Sequence, residues 1–529
     1  MVALALLVAP ARPAHAHALL VNSSPGSNAV LPDPPAEVVL TFSESVREVP
    51  DKVRVIGPDG KRVDRGRPKF DGAVVTIPVD SGPRGTYLVS YRVVSADSHP
   101  VSGGYTYSVG ETSEPPADTG GETAGDPVVT TAVKVAKYVG YIGLILLVGP
   151  LLTLSLFWPR RLSRRGPARL VWTGVGLVTA ATLADLWLQV PYTSGGKLFE
   201  VTGGDLADVL VSGYGVAHLV RLGALVAAVI VIPPLLAGRA TRSDQVVLAG
   251  AGVAAVATWP LAGHPAASPV PAVSVVVDAV HLSGVAVWLG GLVMLGAFLL
   301  RQASSRELAV ILPVWSRWAA VAVGALLLTG AGQAVIEVGA LDALTDTTYG
   351  RLILAKVVLL VLVLAVAGYS HRLVERYAGD VSSRRLRWAV LAELTVTAVI
   401  LAVSANLVQT IPARTAAATA AADAFFSTTL TSPLYKLQVE VEPARVGGNA
   451  IHLYSLTADN KALPVVEWKA TIALPEKGIE PIEIPLITFT DYHVLGEIRL
   501  PTAGDWQLRV TARTSDIDQA TVTATVPIR

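Results

Sequence analysis

Residues 138–158 read YVGYIGLILLVGPLLTLSLFW and contain no charged side chain. A run of this length and composition can cross a bilayer as a single α-helix. Seven further apolar runs follow it along the chain, so the sequence predicts a transmembrane bundle of eight helices. The predicted spans lie at about residues 138–158, 170–190, 214–238, 245–263, 272–300, 318–339, 350–370 and 388–411.

Arginine is concentrated in the connections after the first, third, fifth and seventh spans. Those connections hold fifteen arginines, at positions 160, 161, 164, 165, 169, 239, 242, 301, 306, 317, 372, 376, 384, 385 and 387. The alternate connections hold Lys197, and five more basic residues lie at or within the helix ends on that side, at positions 134, 137, 221, 351 and 356. Because basic loops stay in the cytoplasm, we expect both ends of the bundle to face outward from the plasma membrane of a bacterium.

The overall composition agrees with a multi-pass membrane protein. Of 529 residues, 52% are hydrophobic and 16% are charged, against roughly 25% charged residues in soluble domains. The net charge of +1 indicates no nucleic acid partner. Cysteine is absent and there are two methionines, so a metal would have to be held by histidine, carboxylate, backbone or terminal amine.

Regions of strand-like alternation flank the spans on both sides. Residues 17–112 alternate in short segments separated by Gly/Pro turns, which predicts an immunoglobulin-like β-sandwich. Residues 432–529 return to the same pattern and predict a second extracytoplasmic β-sandwich, of unknown role. Residues 113–127 and 412–431 are expected to be linkers, and residues 128–411 the membrane domain. The expected fold class is therefore a mixed membrane protein with a β-sandwich at each end.

The N-terminal residues 1–16 are expected to be a signal peptide. An apolar run is followed by Ala14-His15-Ala16, and cleavage there would leave His17 as the first residue of the mature chain. A terminal histidine offers both an amine and an imidazole nitrogen to a metal. Cleavage before His15 is the competing possibility, and an ordinary surface histidine at a processed end is the alternative interpretation.

A second group of candidate ligands lies in Ser95-Ala96-Asp97-Ser98-His99-Pro100. Asp97 and His99 are two residues apart and share a face if the segment is extended. The segment runs into Pro100–Gly103, which we expect to be a turn. Nitrogen and oxygen donors of this kind suit Cu(II). A hydrogen-bonded loop without metal is the alternative.

Residues 17–110 resemble the periplasmic copper-binding protein CopC. The matching motifs include His17-Ala18, Leu40-Thr41-Phe42-Ser43-Glu44, Gly85-Thr86-Tyr87, Tyr91-Arg92-Val93-Val94-Ser95 and Asp97-Ser98-His99-Pro100. The resemblance implies a Cu(II) ion held by His17, through its amine and ring, and by Asp97 and His99, with Glu44 at or beside the metal. The methionines with which some family members bind Cu(I) are missing here.

Residues 130–411 resemble the copper-resistance membrane protein CopD. The matching motifs include Gly263-His264-Pro265, Asp278-Ala279-Val280-His281, Trp288-Leu289-Gly290-Gly291 and Thr348-Tyr349-Gly350-Arg351. The resemblance to CopC and CopD together implies copper uptake that serves copper homeostasis or resistance. A C-terminal sandwich is not part of the basic family pattern.

Several ionisable residues are expected inside the membrane, where they are costly and usually functional. Asp278 and His281 are three residues apart and share one helix face. With His264 and His218 they form the predicted metal path, and internal hydrogen bonds or ion pairs are the alternative. In the C-terminal region, His452 and His493 show no spacing that indicates a partner.

The predicted function is capture of Cu(II) outside the membrane and its delivery to the membrane domain for uptake. No phosphate-binding loop and no cysteine metal motif is present in the sequence, so we expect neither an ATP-driven pump nor an enzyme. Copper ions and the lipid bilayer are the expected partners, and the sequence indicates no oligomeric state. Two alternatives stay open: a membrane haem or copper redox protein, and external copper sequestration without transport.

Overall fold

The computed structural model describes residues 18–27, 29–31, 33–116, 125–376, 383–416, 426–458 and 461–529. The N-terminal part is a β-sandwich of two four-stranded sheets, with strand orders β1-β3-β6-β5 and β2-β8-β7-β4. Its strands are β1 Leu20–Ser24, β2 Val30–Leu31, β3 Glu37–Phe42, β4 Val46–Ile56, β5 Lys69–Asp71, β6 Val74–Pro78, β7 Gly85–Ser95 and β8 Pro100–Val109. Alternate residues such as Val38, Leu40, Val75 and Ile77 are fully buried between the sheets, as the sequence pattern predicted.

The expected turn at Pro100–Gly103 is wrong, because these residues begin strand β8. Proline is tolerated at the first position of a strand. The chain instead reverses at Ala96–Ser98, where Ser98 has a φ of 70°. Backbone hydrogen bonds from Ser98 N to Ser95 O (3.0 Å) and from Ser95 N to His99 O (2.9 Å) close this β7–β8 loop. Asp97 and His99 therefore lie in a tight hairpin loop and not on one face of a strand.

Eight helices in the described part of the chain are long and apolar enough to cross a membrane, which confirms the predicted number. They are α1 Pro127–Leu156, α2 Arg165–Ser194, α3 Gly213–Leu236, α4 Arg242–Leu261, α5 Pro271–Gln302, α6 Ser305–Val338, α7 Thr348–Arg376 and α8 Ser383–Leu407. A short 3₁₀ helix, His264–Ala267, joins α4 to α5. Shorter α-helices, Gly203–Val211 and Ala343–Asp346, precede α3 and α7.

The C-terminal part is a second pair of packed sheets. The strand orders are β14-β15-β11-β10-β9 and β13-β12-β16-β17. The strands are β9 Phe426–Thr431, β10 Lys436–Glu442, β11 Gly447–Leu456, β12 Glu467–Leu474, β13 Ile479–Glu483, β14 Leu486–Thr490, β15 His493–Leu500, β16 Gly504–Arg513 and β17 Gln519–Ile528. Trp506 is fully buried between the sheets. Strand β9 lies within the expected linker, so the sheet begins before residue 432.

Candidate metal centre

The β7–β8 loop holds the carboxylate of Asp97 in a fixed orientation. Ser95 Oγ and the backbone N–H of His99 both donate hydrogen bonds to Asp97 Oδ1, the latter at 3.2 Å. The other carboxylate oxygen, Oδ2, lies 3.3 Å from His99 Nδ1. The loop therefore presents one carboxylate oxygen and one imidazole nitrogen side by side.

The membrane domain adds a second imidazole to this pair. His264 begins the short 3₁₀ helix between α4 and α5, and Pro265 follows it in the first turn. Its Nε2 atom lies 3.3 Å from Asp97 Oδ2, and its ring centroid lies 4.6 Å from that of His99. Asp97, His99 and His264 are 1%, 7% and 8% exposed, so all three lie in the interface between the two domains.

The chemistry of this three-residue cluster fits a divalent metal ion. One ligand atom from each of Asp97, His99 and His264 lies within 4.8 Å of the other two. Ligands about 2 Å from a metal and at adjacent corners of its coordination polyhedron are separated by roughly 3 Å, close to the two 3.3 Å separations here. Two imidazoles and one carboxylate are donors that suit Cu(II) and Zn(II) better than softer ions. The expected further ligand, His17, lies outside the described residues.

Glu44 lies beside this cluster but does not belong to the group of three ligand atoms. Burial, and then the charge of Asp97, raise the pKa of the Glu44 carboxyl from its ordinary 4.5 to about 8. Arg414, which follows α8, lowers that pKa in turn, and its Nε lies 3.5 Å from Glu337 Oε2 at the C-terminal end of α6. Glu44 of the sandwich and Glu337 of the membrane domain therefore both lie near Arg414.

Helix α2 holds the N-terminal sandwich over the membrane domain. Arg92 on β7 donates from Nε to Thr193 O at 2.6 Å and from Nη2 to Tyr192 O at 3.1 Å. Gln189 Nε2 donates to Ser98 O in the β7–β8 loop at 2.9 Å. These bonds to the end of α2 fix the loop that carries Asp97 and His99 relative to His264.

A cavity of about 230 Å³ extends from the three-residue cluster into the helix bundle, and Asp278 and His281 line it along with Lys356. The side chains of Asp278 and His281, both on α5, face α6. Asp278 Oδ1 accepts a hydrogen bond from Gln333 Nε2 at 2.6 Å, and His281 Nδ1 lies 2.9 Å from Thr329 Oγ1. The prediction that Asp278 and His281 share one face of a helix agrees with these contacts.

His218 lies in a different polar cluster. Its Nδ1–H donates to Tyr214 O at 2.8 Å, and its Nε2 lies 3.5 Å from Asp185 Oδ2. Lys137 Nζ lies 3.8 Å from the same oxygen, so this lysine is the ion-pair partner of Asp185. Within the described chain His218 is not among the residues that line the cavity. The sequence signal for Lys137 was its position directly before the first apolar run.

Three family models match the N-terminal sandwich and most of the membrane domain, and residues 271–308 and the C-terminal sandwich lie outside these matches. A CopC domain matches residues 20–110, a copper resistance protein D-like N-terminal domain matches residues 128–270, and copper resistance protein D matches residues 309–407.

One curated protein is similar to this chain over nearly its whole length, and others are similar to its N-terminal part. Copper transport protein CutJ of Bacillus subtilis (strain 168) is 24% identical, over 99% of this chain and 98% of that protein. Protein YobA of Escherichia coli (strain K12) is 36% identical, over 20% of this chain and 85% of its own length. The crystal structure of CopC from Methylosinus trichosporium OB3b is 29% identical, covers 18% of this chain and 97% of that one, and gives a TM-score of 0.16.

Proposed function

The chain belongs to the family of CopC–CopD copper resistance proteins, and from that premise we propose that it captures Cu(II) outside a bacterial plasma membrane and passes it into its membrane domain for uptake. One observation carries the proposal. The two candidate ligands of the sandwich, Asp97 and His99, share a buried cluster with His264 of the membrane domain. An ion bound there is held by both domains at once, and it can change domains by exchanging ligands without crossing water.

The cavity below the cluster supports the second half of this function. Asp278 and His281 line the same cavity as the cluster, deeper in the bundle. Carboxylate and imidazole are again donors that suit Cu(II), and a charged group inside a bilayer is usually retained for an ion pathway. In the proposed route, copper leaves Asp97 and His99 through His264 and reaches Asp278 and His281.

His17 completes the external site in this proposal. Its amine and ring would give the ion a tighter nitrogen-rich site before delivery, and Glu44 stays beside the metal as a neighbouring acid. His218 is left out of the route because its ring contacts Tyr214 and Asp185 instead. The protein acts as a transporter in this scheme and catalyses no covalent reaction.

The decisive test measures copper accumulation by the full chain in proteoliposomes, with Cu(II) or Cu(I) supplied outside. His264→Ala should lower the uptake rate at least ~10-fold, since metal sites commonly lose this much when their supporting residues are changed. Asp97, His99 and His17 remain in this variant, so Cu(II) should still bind. The double variant Asp278→Asn, His281→Ala should bind Cu(II) externally like the unchanged chain and yet accumulate none.

His218→Asn is the matched control, because it changes a buried histidine of the same domain that lies off the cavity. Its uptake per folded molecule should equal that of the unchanged chain. Unchanged uptake by a stably inserted Asp278→Asn, His281→Ala chain would exclude the route through α5. Absence of uptake by the unchanged protein would favour external sequestration, and a haem absorption band in the purified protein would favour the redox alternative.

A further inference from the structure

Two histidines lie next to each other on the face of one C-terminal sheet that points away from the sandwich core. His452 lies on β11 and His493 on the neighbouring antiparallel strand β15, where it stands opposite Tyr454. His452 and His493 are therefore diagonal neighbours on one face of the sheet. His452 Nδ1 lies 3.1 Å from His493 Nε2. No spacing in the sequence indicated this pair, because the strand order brings together residues that are far apart in the chain.

Aromatic rings hold the two imidazoles in place. The Tyr454 ring stacks on His493 with centroids 4.2 Å apart and planes 15° from parallel, and Phe489 lies on β14 at 5.4 Å from the same ring. The His452 and His493 rings are themselves 21° from parallel. Stacked rings of this kind have few alternative rotamers, so the two nitrogens face each other without further ordering.

A carboxylate stands next to the pair. Glu440 on β10 is directly opposite His452, and its Oε1 accepts a hydrogen bond from Gln438 Nε2 at 2.7 Å. His452, His493 and Glu440 are all partly exposed, so water can reach a bound ion and complete its coordination.

The separation of the two nitrogens selects the class of ion. With each nitrogen about 2.0 Å from a metal, a separation of 3.1 Å corresponds to an N–metal–N angle of about 100°. Such an angle suits adjacent corners of a tetragonal or tetrahedral site. Linear two-imidazole coordination of Cu(I) would need the nitrogens about 4 Å apart. Among divalent ions, Cu(II) binds such donors most strongly.

We propose that His452 and His493 bind one Cu(II) ion on the C-terminal domain, separately from the Asp97–His99–His264 cluster. Glu440 contributes a nearby negative charge and is not a third ligand. The site is open to solvent and takes its ion directly from the surroundings. It gives the C-terminal sandwich, which lies outside all three matched family domains, a role in holding copper on the same chain. The inference concerns binding alone and does not depend on transport.

The test uses the metal-free full chain carrying His17→Ala, His99→Ala and His264→Ala, so that the proposed external site and the interdomain cluster lack all three of their imidazoles. Titration with Cu(II) should give an electron paramagnetic resonance signal with nitrogen coupling from two imidazoles. Adding His452→Asn or His493→Asn should remove that signal and weaken the corresponding binding step at least 10-fold. Tyr454→Phe is the matched control, because it keeps the stacked ring and should leave the signal unchanged.

A copper signal that persists unchanged in both asparagine variants would overturn the proposal and assign the ion to another site on the chain. The same 3.1 Å separation also suits an N–H···N hydrogen bond. If the His452→Asn and His493→Asn chains unfold at lower temperature but bind as much Cu(II) as their parent, the pair is only hydrogen-bonded and the site is rejected. Because uptake is not measured, failure here leaves the proposed transport function unaffected.

Discussion

Arg92 shows how one side chain joins two domains. Its guanidinium donates to the carbonyl oxygens of Tyr192 and Thr193 at the end of α2 and, from Nη1, to Ser102 Oγ at 3.2 Å. It is 6% exposed. Hydrogen bonds from a charged donor are stronger than neutral ones, and three acceptors arranged around one planar group match the fork geometry of arginine. Arg92 therefore sets the position of the β7–β8 loop above His264.

We expect Arg92→Lys to weaken Cu(II) binding at the interdomain cluster several-fold. An ammonium group cannot reach all three acceptors at once, so the sandwich should shift and the His264 nitrogen should leave the metal. Chelator competition measures the affinity, and hydrogen exchange across residues 95–99 measures the docking. Arg67→Lys, at an exposed position of the same domain, is the control and should change neither. Equal protection of the loop in both variants would show that Arg92 does not position it.

Helices α1 and α5 cross at glycines. A Cβ atom on Gly149 would lie 2.2 Å from Gly290 Cα, and one on Gly290 would lie 2.5 Å from Gly149 Cα. The neighbouring Gly291 leaves room for Trp315, whose ring would lie 1.9 Å from a Cβ there. Small residues let membrane helices approach closely where no hydrophobic force drives them together. This crossing fixes α5, and with it Asp278 and His281, against the rest of the bundle.

Gly290→Ala should therefore destabilise the membrane domain by about 1–3 kcal/mol, the usual effect of adding a methyl group to a closely packed interior. The neighbouring atoms are backbone and cannot move aside as a flexible side chain would. Gly324→Ala is the matched control on α6, since nothing lies within 4 Å of its Cβ position. Thermal unfolding in detergent measures both. A similar unfolding temperature for the two variants would show that the helices can separate at little cost.

The elements were largely predictable because their signals are local. Apolar runs followed by arginine-rich loops identify the eight helices, and alternation identifies most strands. Strand β9 was missed because Phe426–Thr431 follows an Ala/Thr-rich stretch and gains its strand conformation by pairing with β10. The prediction of a turn at Pro100–Gly103 was wrong because it rested on the local proline and glycine alone. In the structure the whole segment pairs with the long strand β7.

The candidate site depends on contacts between domains that no local sequence pattern encodes. Asp97 and His99 were identifiable from their motif, and His264 from its place at a helix end. Their convergence requires the sandwich to dock on α2 in one orientation, which is set by Arg92 and Gln189. The His452–His493 pair likewise depends on β11 and β15 being neighbours. Sequence reasoning therefore found the separate ligands but not the groups that they form.

Capture from outside requires both sandwiches to lie on the outer side of the membrane, and the absence of cysteine makes this directly testable. Single cysteines at exposed positions of the two sandwiches, Asp71→Cys and Asp516→Cys, should react with a membrane-impermeant maleimide on intact spheroplasts. Ser243→Cys, in the first turn of α4, should react only after lysis. The physical reason is the arginine bias, since Arg239 and Arg242 lie directly before that position and basic loops resist translocation.

The three cysteine positions are all exposed, so differences in labelling report the side of the membrane and not burial. The unsubstituted chain should show no labelling at all, which sets the background. Labelling of Ser243→Cys on intact spheroplasts, with protection of Asp71→Cys, would reverse the orientation. The Asp97–His99–His264 cluster would then face the cytoplasm, and the same ligand arrangement would have to load copper from inside the cell, which makes export the direction of flow.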